Sequence, residues 1–262
     1  MIALRMAFAV VSFSVPAQAL AGAWTLPQGS GQVIATGIYS DSDEGFDDRA
    51  TSVDINDYRK AEVYVLAEYG VTDDLTLMVT PSFSHTSVQG NGDDTTGPGY
   101  TELGARYRFA KTRHGAFSFQ TSLRVPGKRR QDNVAQIGAT DTEIDLRALA
   151  GMNFRVANKE AFVDFQGGYR IRNGAPPNEF RLDATFGIRP APRLLLLAQS
   201  FNTISDGSGR GIFGRHRYSN LYASGVYEVS PKWSLQLGVL ATLSGRNALQ
   251  ERGLLSGVWF KF

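Results

Sequence analysis

From Gly31 onward, apolar and polar residues alternate one for one through segment after segment. "FSFQTSLRV" puts Phe117, Phe119, Thr121, Leu123 and Val125 on one parity and Ser118, Gln120, Ser122 and Arg124 on the other. "FRLDATFGIR" (from Phe180) and "TELGARYRF" (from Thr101) repeat the scheme. Successive strand side chains point to opposite faces, so period two predicts β-strands with one apolar and one polar side. Twelve such segments are predicted, at about 31–39, 58–69, 75–85, 100–109, 116–125, 143–156, 161–171, 179–189, 194–203, 217–229, 233–243 and 251–262. The ninth, "LLLLAQSFN", is apolar on both parities at first, which leaves its facing open. The third contains Pro81, which cannot donate to a β-ladder.

The connections carry a second signal. After the even-numbered segments they are tight: "GVTDD", "AKTRHG", "ANKE", "PAPR" and "SPK". After segments one, three, five and nine they are long, among them "SDSDEGFDDRATSVDIND" and "TSVQGNGDDTTGPG". Outer-membrane barrels sort their connections this way, with short periplasmic turns and longer outer loops. A closed barrel is also the only β architecture that satisfies every backbone group in hydrocarbon. About 10 residues is the length a tilted transmembrane strand needs. The expected fold is therefore all-β: an antiparallel up-and-down transmembrane barrel of about twelve strands over residues 22–262, in the cell outer membrane, with both termini periplasmic.

Residues 1–21 read as a signal peptide. Arg5 precedes the apolar run "MAFAVVSFSV", followed by Pro16 and the small-residue series "AQALAGA". Cleavage after Ala19 or after Ala21 satisfies the small-residue rule; Ala21 is preferred, giving a mature start at Gly22. The apolar run is shorter than the roughly 20 residues a bilayer-spanning helix needs. Cysteine is absent, which removes thiolate metal sites, a cysteine nucleophile and disulfides. A net charge of +2 with no clustered basic run gives no reason to expect nucleic acid as a partner.

Assigning the apolar parity to lipid sends the other parity inward. That set is Lys60, Glu62, Glu68, Glu102, Arg106, Arg108, Arg124, Asp145, Arg147, Arg155, Asp164, Arg170, Arg181, Asp183 and Arg189. So many charges cannot face hydrocarbon, where an arginine near the midplane costs about 2–4 kcal/mol. Two readings stand: an ion-pair lattice filling a narrow barrel, or an arginine-biased path for polar or anionic solutes. The acidic first loop (Asp41, Asp43, Glu44, Asp47, Asp48, Asp54, Asp57) lacks EF-hand spacing and reads as solvated surface, so no metal or cofactor is expected. Tyr69, Tyr227 and Trp233 fall at strand ends where an aromatic girdle belongs. Trp24 is a candidate to fold into the barrel mouth. His114 and His216 read as solvent-facing.

The final "GLLSGVWFKF" resembles the C-terminal assembly signal of bacterial outer-membrane barrels, with Gly257, Phe260 and Phe262 in register and Leu255 where a polar residue is usual. The resemblance implies the barrel-assembly machinery and outer-membrane lipid as partners. "GAWTLPQGSGQV" and "AEYGVTDDLTL" resemble small XagA-like barrels associated with exopolysaccharide and biofilm loci, and the second also recurs in barrels assigned to uptake of aromatic compounds. What these resemblances imply is a channel or an export or uptake component, with periplasmic or inner-membrane polysaccharide export components as further partners. One alternative comes from His85 and Ser87 in "SHTS", whose spacing resembles the His-x-Ser of outer-membrane phospholipases and lipid A deacylases. Phospholipases continue with Asn-Gly where this chain has Val88-Gln89, so the enzyme reading lacks part of its motif. The other alternative is a structural barrel with a plugged lumen.

Overall fold

The computed structural model describes residues 22–89, 93–127, 141–211 and 213–262; the signal-peptide reading of residues 1–21 lies outside them. Twelve staves close into one antiparallel barrel. They are β1 (Gly31–Phe46), β2 (Ser52–Thr72), β3 (Leu75–Thr80, resuming after Pro81 as Ser82–Val88) and β4 (Asp93–Pro98, resuming as Thr101–Lys111). Then follow β5 (Gly115–Val125), β6 (Glu143–Val156), β7 (Lys159–Arg172) and β8 (Glu179–Ala191). The last four are β9 (Leu194–Ser205), β10 (Arg217–Glu228), β11 (Trp233–Arg246) and β12 (Arg252–Lys261). Each stave pairs with its neighbours in sequence, and β1 closes the ring by pairing with both β2 and β12 (Ala35 opposite Val65 on one side and Val258 on the other). A closed ring has no free edge, which is what a lipid environment demands.

The outer surface is apolar around the ring. Phe83, Leu103, Phe119, Phe165, Leu182, Leu237 and Leu254 all stand exposed on it. Toward the short-turn end it becomes aromatic. Tyr69, Tyr107, Phe109, Tyr227 and Trp233 point outward there, with Trp233 packed on Phe260 at 4.6 Å and Phe109 stacked on Phe119 at 4.8 Å. Such a belt and girdle is stable against lipid and not against water. The tight turn between β6 and β7 has both central residues, Ala157 (φ 47°) and Asn158 (φ 61°), in the left-handed region that two-residue hairpins use to match strand twist.

Two of the expected loops are sheet instead. The first hairpin extends to the pair Phe46–Ser52, well past residue 39, with a bulge at Ser42–Glu44. The third connection folds back as a hairpin in which Val88 faces Asp93. Cross-strand packing overrides the acidic, glycine-rich composition. Tyr58, Val88, Tyr218, Ala248 and Leu249 form a buried cluster at this end, with Ile55 against it. The acidic side chains find partners: Arg252 reaches Asp41 and Asp43, each at 3.0 Å. In the turn beyond, the Asp47 carboxylate accepts the Arg49 and Thr51 amides, each at 2.8 Å.

Candidate functional site: a two-sided lumen closed by the N-terminal segment

Interior positions on β4–β8 carry charge, and the charges interlock. Arg147 holds Asp145 (2.6 Å) on its own stave and Asp183 (2.5 Å) two staves away. Arg170 pairs with Asp145 at 2.8 Å and Arg172 with Glu143 and Glu179 at 2.8 and 2.7 Å. Arg124 pairs with Glu143 and lies 3.4 Å from Glu102, its guanidinium 4.2 Å above the Tyr100 ring. Arg181 stands 3.6 Å from Glu179. On the β2 side Arg106 meets Glu68 at 3.2 Å and Lys60 meets Glu62 at 2.7 Å. All of these side chains are buried. Ionised groups out of water are tolerated when paired and hydrogen-bonded, and this lattice supplies the pairing.

Three residues assigned inward by parity lie at the turn end. Arg155 is exposed beside the β6–β7 turn, past the end of the enclosed region. Arg108 keeps its side chain largely covered at the rim, where it pairs with Asp74 (2.7 Å), and half-buried Arg189 pairs there with Glu228 (2.8 Å). Parity fixes a face but not a height along the barrel axis, and Arg155 and Arg189 lie too near the turns to be enclosed. Conversely Glu143, Glu179 and Arg172, central to the lattice, lie outside the set assigned inward from the sequence. The signal was available, because Glu143-x-Asp145-x-Arg147 and Glu179-x-Arg181-x-Asp183 continue the inward parity by one step. His216 is also buried, at 5% exposure, with Nε2 3.3 Å from Glu179 Oε1, which corrects its solvent-facing assignment.

The opposite wall carries an apolar cluster set among neutral polar groups such as Gln199, Asn220 and Gln236. Ile34 and Ile38 of β1, Tyr64 and Leu66 of β2, and Met78 of β3 form one buried cluster with residues of β9–β12. Those are Leu195, Leu197, Phe201, Tyr222, Val226, Leu240, Leu255 and Trp259. Phe201 meets Tyr222 edge to face at 5.1 Å, and Trp259 donates its indole N–H to Gln236 Oε1 at 3.1 Å. The facing of "LLLLAQSFN" is thereby settled: Leu195, Leu197 and Phe201 point inward and Leu196 outward. Leu255, the departure from the terminal motif, belongs to this wall. The start of β9 is apolar on both faces, and on β10 and β11 the wall's apolar residues share the inward parity with Asn220, Ser224 and Gln236, so period two alone does not mark the wall.

Between the walls runs the N-terminal segment. It enters over the β2–β3 turn, where Gln28 N–H donates to Asp73 Oδ1 (3.0 Å) and Thr25 Oγ1 to the Asp73 carbonyl (2.6 Å). Leu26 N–H then meets Thr76 Oγ1 (2.9 Å), and Arg106 Nη1 donates to the Trp24 carbonyl (3.1 Å). Ser118 Oγ donates to the Ala23 carbonyl, and Ala23 N–H donates to Asp164 Oδ2 at 2.6 Å. Trp24 stands edge-on to Phe162 at 6.0 Å, and Gly151 makes the room for it, since a Cβ there would lie 2.5 Å from the indole. Five staves, β3 to β7, thus hold a strap whose residues 22–26 lie inside the barrel, while Pro27, Gln28 and Gly29 are exposed.

His85 and Ser87 share the outward parity of β3. The His85 Nδ1 lies 2.7 Å from Thr96 Oγ1, so its hydrogen bond goes across the hairpin to β4. Gly257 and Trp259 face inward, while Val258 and Phe262 face out. Phe262 ends the ladder by exchanging both backbone hydrogen bonds with Gly31 (2.8 and 3.0 Å).

A family model described as putative MetA-pathway of phenol degradation matches residues 28–262. No curated protein matches the sequence. Among solved structures the chain is similar to the COG4313 outer membrane channel from Pseudomonas putida F1, with 18% identity and a TM-score of 0.77 over 91% of this chain and 97% of that one. It is also similar to the translocator domain of the autotransporter NalP from Neisseria meningitidis (14%, 0.53, 90% of each chain). A third match is the KdgM porin in complex with disordered oligogalacturonate (9%, 0.51, 88% and 99%). At these identities the likeness is one of fold.

Proposed function

The chain belongs to the family described as putative MetA-pathway of phenol degradation, and we propose that it is an outer-membrane channel for uptake of small aromatic or otherwise amphipathic organic solutes. The observation that carries this reading is the two-sided lumen. An apolar, aromatic wall on β9–β12, β1 and β2 faces a charge lattice whose members already neutralise one another. A solute with a ring and one polar group fits between such walls, burying its ring at about 25 cal/mol per Å² of apolar area. The strap crossing the lumen must shift for passage. In this reading the tight turns and both termini lie on the periplasmic side.

The exopolysaccharide role is the finer alternative that the N-terminal resemblance brings, and the oligogalacturonate held by KdgM is a ligand of that polar kind. A sugar polymer would leave its hydroxyls unpaired along the Leu195–Leu197–Phe201 wall, which favours the aromatic class. The hydrolase reading needs His85 to serve Ser87, whereas its Nδ1 is engaged by Thr96.

The test is uptake by a porin-depleted Gram-negative host expressing the full chain, comparing a radiolabelled monoaromatic solute with a disaccharide. Faster entry of the aromatic solute alone supports the proposal. Preference for the sugar supports the polysaccharide reading, and no change in either supports a structural barrel. Release of fatty acid from phospholipid, abolished by Ser87→Ala, would establish the enzyme instead.

A further inference from the structure

Asp164 is a buried carboxylate that, among the described residues, has no lysine or arginine within ion-pair distance. It is 2% exposed on β7. Its Oδ1 accepts Gln166 Nε2 at 2.9 Å and its Oδ2 accepts the Ala23 amide at 2.6 Å, both neutral donors. The Arg106 guanidinium is committed to Glu68, Gln120 and the Trp24 carbonyl. A buried carboxylate held by neutral donors alone is costly.

What lies against Asp164 is the start of the strap. A Cβ built on Gly22 would stand 3.0 Å from Asp164 Oδ2 and 3.0 Å from the Trp24 ring, so residue 22 packs closely against the carboxylate and a side chain there would crowd it. Gly22 is also the first residue left when the leader is cut after Ala21. Hydrolysis of the Ala21–Gly22 amide consumes one water, leaving a carboxylate on the leader and an amine on Gly22. An α-amine, with an ordinary pKa of about 7.7–8.0, is mostly protonated at neutral pH.

We propose that Asp164 is the binding site for the protein's own new amino terminus: leader removal after Ala21 generates the Gly22 ammonium, which pairs with Asp164 inside the barrel and anchors the strap across the lumen. With no residue ahead of it, Gly22 can turn about its Cα–C bond until its ammonium lies beside the Ala23 amide. Both then donate to one carboxylate. Cleavage after Ala19 would leave Leu20 and Ala21 in front and carry the ammonium away from Asp164. The device makes processing and plugging one event, and it does not depend on which solute the barrel carries.

The full chain, expressed with its leader and purified from outer membranes, provides the test. Intact mass is expected to match a start at Gly22; a start at Leu20 overturns the proposal. Hydrogen–deuterium exchange of the peptide spanning residues 22–30 then reads the anchor. Asp164→Asn keeps an acceptor for the Ala23 amide and removes the charge. Insertion of two glycines between Ala21 and Gly22 keeps Asp164 and displaces the ammonium. Each is expected to speed exchange about tenfold, equivalent to about 1.4 kcal/mol of strap opening, and the two together no more than either alone. Additive effects, or an insertion that leaves exchange unchanged, overturn the ion pair. The insertion touches no barrel residue, so it remains decisive should Asp164→Asn fail to give the heat-modifiable folded form.

Discussion

Arg147 of β6 reaches past the whole of β7 to place Nη1 2.5 Å from Asp183 Oδ2 on β8, while its Nε holds Asp145 at 2.6 Å. Contact between staves that are not neighbours is possible because the stave between them presents no side chain at that height. Gly168, the partner of Arg147 across the ladder, leaves the passage open: a Cβ there would lie 2.8 Å from Arg147 Cγ. The bridge is therefore a tie across the inner wall and not a ladder contact.

Arg147→Ala should accordingly destabilise the barrel by about 3–5 kcal/mol, the range for breaking a buried pair and stranding its partners. Urea unfolding in detergent micelles measures it. Combining Arg147→Ala with Asp183→Asn should recover part of the loss, because Asp145 keeps Arg170 at 2.8 Å and Asp183 is the carboxylate that Arg147→Ala strands. A double variant as unstable as the single one would show that packing of the arginine stem, and not charge, is what matters.

The outer wall obeys the opposite rule. Leu237 of β11 is 70% exposed in the middle of the apolar belt, opposite Gly225 and Ser256. Leu237→Arg is expected to cost about 2–4 kcal/mol for folding into lipid vesicles. The inward neighbour Gln236 already bears polar partners, Ser224 at 2.9 Å and Trp259 at 3.1 Å. Gln236→Glu should cost much less than Leu237→Arg in the same assay, and equal losses would contradict the assignment of faces.

These two positions also mark what the sequence made legible. Where one parity is apolar and the other charged, as from Thr101 to Arg189, alternation identified the strands, their facing and most of the lattice. It failed where its premise failed. At the start of β9 both parities are apolar because one meets lipid and the other meets the inner wall, and no periodicity distinguishes a side chain against lipid from one beside Phe201. Composition misled in the first and third connections, where aspartate and glycine read as loop while cross-strand pairing and the Tyr58–Tyr218 cluster hold them as sheet. The strap was legible only as a lone tryptophan ahead of the first strand. Its route depends on contacts with residues 45 to 141 positions away along the chain, which no local pattern encodes.

The last residue completes the ring. Phe262 gives and receives a backbone hydrogen bond with Gly31, and its ring lies 5.9 Å from that of Phe260 in the girdle. Deleting Phe262 removes the final ladder pair between β1 and β12 and, on the resemblance of this terminus to an assembly signal, the feature the insertion machinery reads. Heat-modifiable folded protein in outer-membrane fractions should fall sharply. Refolding of the same variant into detergent separates the two effects. Normal refolding with poor assembly in cells assigns Phe262 to recognition, and loss of both assigns it to ring closure.

Gly151 and Trp24 give the sharpest test of the plugged lumen. The indole occupies the space that any side chain on residue 151 would take, and Gly151 faces inward on β6 between Ala116 and Asp164. Gly151→Val suits a strand and leaves the outer face untouched, yet it must expel Trp24 from its edge-on contact with Phe162. Planar-bilayer conductance of the purified variant should rise several-fold, with the folded fraction unchanged. Trp24→Ala empties the same space from the other side, so it should raise conductance alike and make Gly151→Val nearly silent in its background. If the two substitutions add instead of masking one another, Trp24 does not gate ion flow, and the lattice on β4–β8 is the narrower barrier.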